Sequence, residues 1–247
     1  MAAGSRPVSY SGAMRAILVL NNKGGSGKST LATNLAAHYA GRGRRVALVD
    51  LDPQGSSTKW LEVRPPDRPL VVGVAGWREP LRVPPETEVA VIDVPAGIRG
   101  RRLREALRLA PTVVMPVLPS PLDVHAARAM VQEVQGLGAL RPRPLAAGSA
   151  WSAWLGGLAG APVRPRLASV ANRVREHTMA YDALYTFLDK LRVPYLTSLR
   201  DSQNYIHAMA KGLSIFELPK AQVRRDLEQW TPLLRWLDGR ASQPRPV

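Results

Sequence analysis

Apolar positions along the 247-residue chain fall into short unbroken runs separated by stretches of helical length. The first run, Ala16 to Leu20, stops at Asn21-Asn22. Further runs occupy residues 44–50, 70–74, 89–93, 112–117, 166–173 and 193–200. Runs of this length read as strands. Between them, residues 29–41, 56–62, 99–108, 124–138, 178–190 and 220–238 read as helices. Strands alternating with helices predict an α/β fold with a doubly wound, mostly parallel sheet flanked by helices. Ligands of such sheets bind at the carboxyl ends of the strands. Asp50 and Asp93, which end two of the runs, are therefore expected to meet the glycine-rich turn that ends the first.

The pattern also divides the chain. Residues 1–13 lack the apolar stretch of a signal peptide and read as a flexible extension, with Met1 and Met14 both open as the natural start. Residues 14–238 read as one domain and 239–247 as a flexible tail. Residues 63–69 form a proline-rich loop, and 75–88 are irregular, with Trp77 expected against the sheet. Residues 139–165 are rich in Pro, Gly, Ala and Ser, with Trp151, Trp154, Leu155 and Leu158 spaced for a short apolar helix. That helix either packs back on the domain or docks elsewhere. The closing stretch 220–238 carries Val223, Leu227, Trp230, Leu233, Leu234 and Leu237 at helical spacing, a pattern that reads as core packing. No run reaches the roughly 18 apolar residues of a membrane-spanning helix.

Composition narrows the chemistry. There are no cysteines, which excludes disulfides, thiolate metal sites and thiol nucleophiles. The four histidines, His38, His125, His177 and His207, are scattered without metal-ligand spacing. A formal net charge of +15 favours a polyanion, either nucleic acid or an anionic membrane surface. The basic helix 99–108 reads equally as a polyanion-facing surface and as a solvated face.

The turn after the first strand carries the sharpest signal. Gly24, Gly25 and Gly27 allow backbone N–H groups to point inward, and the helix that follows adds partial positive charge. Strand, glycine turn and helix start make a phosphate cradle. Lys28 would reach the β- and γ-phosphates, and the Ser29 hydroxyl would hold Mg²⁺. The general pattern G-x-x-x-x-G-K-(S/T) requires glycine at position 22, where this chain has Asn22. It has instead Lys23-Gly24-Gly25-Ser26-Gly27-Lys28-Ser29-Thr30.

That segment resembles the deviant Walker A box, KGGxGK(S/T), of the ParA/MinD family of P-loop ATPases. The resemblance extends over roughly residues 14–238. It includes Asp50-Leu51-Asp52-Pro53-Gln54-Gly55, which is similar to the family's DxDPQG segment, and Pro116-Val117-Leu118-Pro119-Ser120-Pro121-Leu122-Asp123, similar to the PVxPSPxD segment of the smaller ParA-type partition ATPases. It implies ATP and Mg²⁺ as cofactors, with residues 24–30 binding nucleotide and Asn172 contacting adenine. Asp52 would orient the attacking water, while Ser29, Asp50 and Asp93 would serve the metal. Lys23 would reach across an ATP-bound homodimer to the partner's phosphates. Asp123 lies where the family places a dimer interface, or else serves as a helix N-terminal charge. Val94, after the acid of the fourth strand, departs from the small residue usual there. Arg200 and Lys211 are candidates for non-specific DNA contact.

On this resemblance the chain is expected to be a slow cytoplasmic ATPase on the nucleoid, stimulated by a ParB-like or cargo-adaptor partner. Its cargo would be a plasmid, a chromosome or a carboxysome. A MinD-like membrane-cycling ATPase and a metabolic P-loop ligase or kinase remain as alternatives.

Overall fold

The computed structural model describes residues 14–77, 81–142, 161–175 and 178–243. Seven strands form one sheet in the order β3-β2-β4-β1-β5-β6-β7. They are β1 (Arg15–Val19), β2 (Val46–Asp50), β3 (Val71–Ala75), β4 (Val89–Asp93), β5 (Thr112–Val117), β6 (Arg166–Val174) and β7 (Tyr195–Arg200). Every pairing is parallel. The α-helices among the described residues are α1 (Lys28–Gly41), α2 (Ser56–Glu62), α3 (Gly100–Leu109), α4 (Pro121–Gly136), α5 (Met179–Lys190), α6 (Gln203–Ala210) and α7 (Lys220–Asp238).

Parallel strands can be joined only by crossovers, and the crossing helices cover both faces of the sheet. Alternate side chains of β1 therefore enter two cores. Ala16 and Leu18 face α3 and α4 through Leu103, Leu107, Met130 and Val134. Ile17 and Val19 face α1 and α7 through Leu31, Leu35, Trp230 and Leu233. This double burial is why the runs are continuously apolar. None of the described helices is long and apolar enough to cross a membrane.

Several boundaries differ from expectation for local reasons. Helix α4 begins at Pro121 rather than residue 124, because Ser120 caps it: its Oγ accepts a bond from Asp123 N at 3.2 Å. Helix α6 was not expected; Ser202 caps it in the same way, accepting from Asn204 N at 3.2 Å. Part of the stretch expected as a tail from 239 is ordered. Arg240–Ser242 form a 3-10 turn whose Ser242 is buried, and Ser242 O accepts from Thr112 Oγ1 at 2.8 Å. Trp77 packs over the turn at Gly55, since a Cβ there would lie 3.6 Å from its ring. The extension 1–13 and the apolar segment with Trp151, Trp154, Leu155 and Leu158 lie outside the described residues.

One titratable group ties α1 to the end of the fold. His38 stacks on Phe216 with ring centroids 4.6 Å apart, and its buried Nε2 has no partner. Burial, aided by the Arg42 charge and opposed by Asp238, holds its pKa down at about 4, against an ordinary 6.5. The neutral form is the folded form. Stability is thus complete above pH 6.5 and falls as pH drops from 6.5 towards 4. Thermal melts over that window should show the decline, and His38→Leu, which packs without titrating, should flatten it. An equally steep decline in the variant would assign the effect to other groups.

Candidate active site

The carboxyl edge of the sheet collects the polar residues. The register sets Asp50 directly beside Asp93, and Asp93 beside Val19 at the end of β1. The chain leaves β1 through Asn21, whose side chain is fully buried. Its Nδ2 donates to Pro116 O at 2.6 Å, and its Oδ1 accepts from Lys23 N at 3.0 Å. This amide anchors the loop entrance to β5. At the exit, Gly27 takes a left-handed conformation (φ 91°) as the N-cap of α1. A Cβ on Gly27 would stand 2.1 Å from Asn172 Nδ2, so glycine is required there both for its φ and for the space.

Between these anchors the two lysines separate. Lys28 is buried, and its Nζ donates to Lys23 O at 3.1 Å, alongside Ser26 Oγ at 3.1 Å. Burial lowers the Lys28 pKa, while Asp93 and Asp52 act to raise it. Lys23, Gly24 and Gly25 are exposed. Ser29 and Thr30 are half-buried at the first turn of α1, and Thr30 O accepts from Asn34 Nδ2 at 2.8 Å.

The carboxylates differ sharply in what they hold. Asp50 Oδ1 accepts from Asp52 N, and its Oδ2 accepts from Ser57 N at 3.0 Å and Thr58 N at 3.1 Å. Asp50 thus fastens the first turn of α2 through Oδ2, while Oδ1 accepts a single bond from Asp52 N. Burial raises its pKa against those bonds. Asp93 Oδ2 accepts from Ser57 Oγ at 2.7 Å, whereas its Oδ1 is buried without a partner. Burial pushes the Asp93 pKa up to about 6, against the Ser29 and Ser57 hydroxyls and the Lys28 charge. An orphaned, costly carboxylate oxygen next to a buried lysine fits a cation site. Asp52 sits on the turn closed by Gly55 N to Asp52 O (2.9 Å), and its Oδ1 accepts from Gln54 N.

The remaining candidates separate into those the geometry gathers and those it does not. Asn172 lies at the loop, but its Nδ2 donates to Ser26 O at 2.8 Å. One of its two N–H bonds thus braces the cradle. Asp123 is buried in the first turn of α4, one oxygen accepting from Ser120 Oγ and the other without a partner. Arg200 is committed elsewhere: it grips Asp226 through Nε at 2.6 Å and Nη2 at 3.0 Å. Asp226 is fully buried, so the pair ties β7 to α7, with part of the Arg200 side chain left exposed. Lys211 is exposed at the end of α6. Ser57, Asn21 and the bond from Gly97 N to Asn22 O (2.9 Å) escape sequence reasoning. The only trace of Ser57 in the sequence is a serine two places past the DxDPQG glycine.

Comparison with known proteins gives the family. The family model of the CobQ/CobB/MinD/ParA nucleotide binding domain matches residues 17–215. The chain belongs to this family, and with Lys23 in its loop it is a deviant Walker A member of the ParA/MinD type. Over 209 residues it is 28% identical to the maintenance of carboxysome distribution protein A of Halothiobacillus neapolitanus, covering 82% of this chain and 87% of the relative. Its fold is similar to that of a Cyanothece McdA variant in complex with ATP, with TM-score 0.63, 16% identity, and 90% and 97% of the two chains covered. The Aquifex aeolicus cell division protein MinD has a TM-score of 0.62 at 14% identity, over 89% and 96% of the chains.

Removing Arg200 would strand Asp226 as a buried charge. Arg200→Ala is expected to lower stability by about 3 kcal/mol in chemical denaturation, the lower end for breaking a buried pair. A variant as stable as the parent would free Arg200 for a surface role.

Proposed function

We propose that this chain is a Mg²⁺-dependent ATPase that dimerises around ATP, binds DNA without sequence preference, and positions a cargo over the nucleoid in the cytoplasm. The observation that carries the reading is the split between the two loop lysines. Lys28 is drawn into the cradle, while Lys23, five residues earlier, stands exposed on its outer lip. A lysine in that place serves no phosphate of its own loop as directly as Lys28 does. It is suited to a second chain.

Phosphoryl transfer needs positioning and charge neutralisation more than covalent help from the protein. The cradle amides and Lys28 would hold the β- and γ-phosphates. Ser29 and the open oxygen of Asp93 would hold Mg²⁺, with Asp50 and Ser57 fixing α2 and Asp93 behind them. Bound there, Mg²⁺ supplies positive charge against the phosphate oxygens. Asp52, on a turn held by its own backbone, would orient the attacking water. A partner protein that completes the site would set the turnover rate.

The cargo class follows from a likeness that runs along most of the chain. The Halothiobacillus protein is named for carboxysome distribution and shares most of its length with this chain. A carboxysome is therefore the favoured cargo, with plasmid or chromosome partition next. The likeness to MinD supports the membrane-cycling reading only at the level of fold.

Lys23→Ala should keep its thermal stability and its binding of a fluorescent ATP analogue, yet remain a monomer in ATP by light scattering; a dimer in ATP would sink the two-chain role. Asp52→Ala should bind ATP with hydrolysis reduced at least about a hundredfold, the scale of a lost general-base contact. Phosphate release at the parent rate would assign the water to another residue.

A further inference from the structure

The arginines of this chain are unevenly partnered. Arg64 pairs with Glu217 at 2.7 Å, Arg200 with Asp226, Arg175 with Asp201 at 2.9 Å, and Arg44 and Arg45 with Glu88. Helix α3 breaks the pattern. It buries Leu103, Ala106, Leu107 and Leu109 and turns Arg101, Arg102 and Arg104 to solvent, with Arg99 exposed at its N-cap. Among the described residues, none of these four has an acidic partner within ion-pair distance. The acids close by are already engaged. Glu105 binds Arg108 at 3.2 Å, and Glu133 Oε1 accepts from Gly100 N at 2.8 Å.

The placement is also electrostatically costly. No acid lies in the first turn, and the arginines crowd the positive end of the helix dipole. Four like charges within one and a half turns repel each other as well. Several other arginines of the described chain also lack an ion pair, but on α3 four such charges lie within six residues, three of them on the outward side of one helix. Guanidinium forks match phosphate oxygens two at a time, and duplex DNA presents such oxygens at regular short spacing.

We propose that the outward face of α3, formed by Arg99, Arg101, Arg102 and Arg104, is the surface that takes the DNA phosphate backbone. This rests on the DNA-binding reading above and gives it a location. The face lies on the side of the sheet opposite α6 and Lys211, whose helix packs with α1 through Met209 and Thr33. It is also joined to the nucleotide loop. The segment leading into α3 is held by Gly97 N donating to Asn22 O at 2.9 Å, and by buried Val94 and Ile98. Gly97 (φ 73°) and Gly100 (φ 54°) are the bends between that bond and the arginines. The phosphate-binding face thus begins one hydrogen bond from the loop that senses nucleotide, which links DNA affinity to ATP.

The test uses the full chain with the triple substitution Arg101→Ala, Arg102→Ala, Arg104→Ala. Anisotropy of a labelled random-sequence duplex is followed with ATP and Mg²⁺ over a salt series. The expected result is a loss of at least about tenfold in affinity, with the slope of log affinity against log salt shrinking by about 2 to 3, near 0.9 per lost phosphate contact. Thermal stability should be equal to or above the parent's, since the like charges are removed, and binding of a fluorescent ATP analogue and the ATP-dependent dimer should stay as in the parent. Lys211→Ala, on the other side, should change DNA affinity less than twofold. Parent-like affinity and slope in the triple variant would overturn the assignment while leaving DNA binding intact. Loss of the dimer together with DNA would also overturn it, by placing the arginines between protomers. A parent protein that ignores the duplex in ATP would remove both the surface and the DNA reading.

Discussion

A parallel sheet covered on both faces leaves few places for polar chemistry. The inner strands β1, β2, β4 and β5 are buried above and below, so a charged group inside them would lose its water without recompense. The strand ends are the exception. Because all seven strands run the same way, every carboxyl end opens on one edge. Asp50 and Asp93 arrive there side by side by register alone. The glycine loop from β1 arrives between them and Pro116 of β5, held by the Asn21 amide. The site is thus a consequence of strand direction, and its residues need no long-range coordination beyond the sheet.

Within that edge, hydrogen bonding separates ligands from supports. Asp50 and Asp93 look alike in sequence, since each is an acid ending an apolar run. In the structure one has both oxygens bonded, Oδ2 by the first turn of α2, and the other keeps an oxygen open. The difference arises from Ser56–Glu62, a short helix whose start lies over both strands. Similarly, Asn172 and Ser26 are far apart in the chain, yet their contact fixes the curvature of the loop. Short range and long range meet at Gly27, which has neither the φ nor the room for another residue.

The architecture was legible in the sequence because burial on both faces makes strands continuous and apolar, and because the glycine turn has few alternatives. Strands β4 and β5 and helices α2 and α7 fall at their expected ends. What escaped was decided by partners remote in sequence. Nothing near Arg200 announces Asp226, so the arginine looked available when it is bound. Nothing near Asn172 announces the Ser26 carbonyl. Helix α6 and the early start of α4 were missed for a different reason: both depend on a single serine cap, which propensity over a window does not register.

The bond from Lys28 Nζ to the carbonyl of Lys23 gives the loop a mechanical property. The residue whose side chain faces outward has its backbone gripped by the residue that faces inward. An anion that draws the Lys28 ammonium away changes the tether on Lys23 itself. Occupancy inside the cradle would thereby loosen one of the two tethers on the Lys23 carbonyl, the other being the Ser26 hydroxyl. The loop acts as a short lever whose two arms are both lysine.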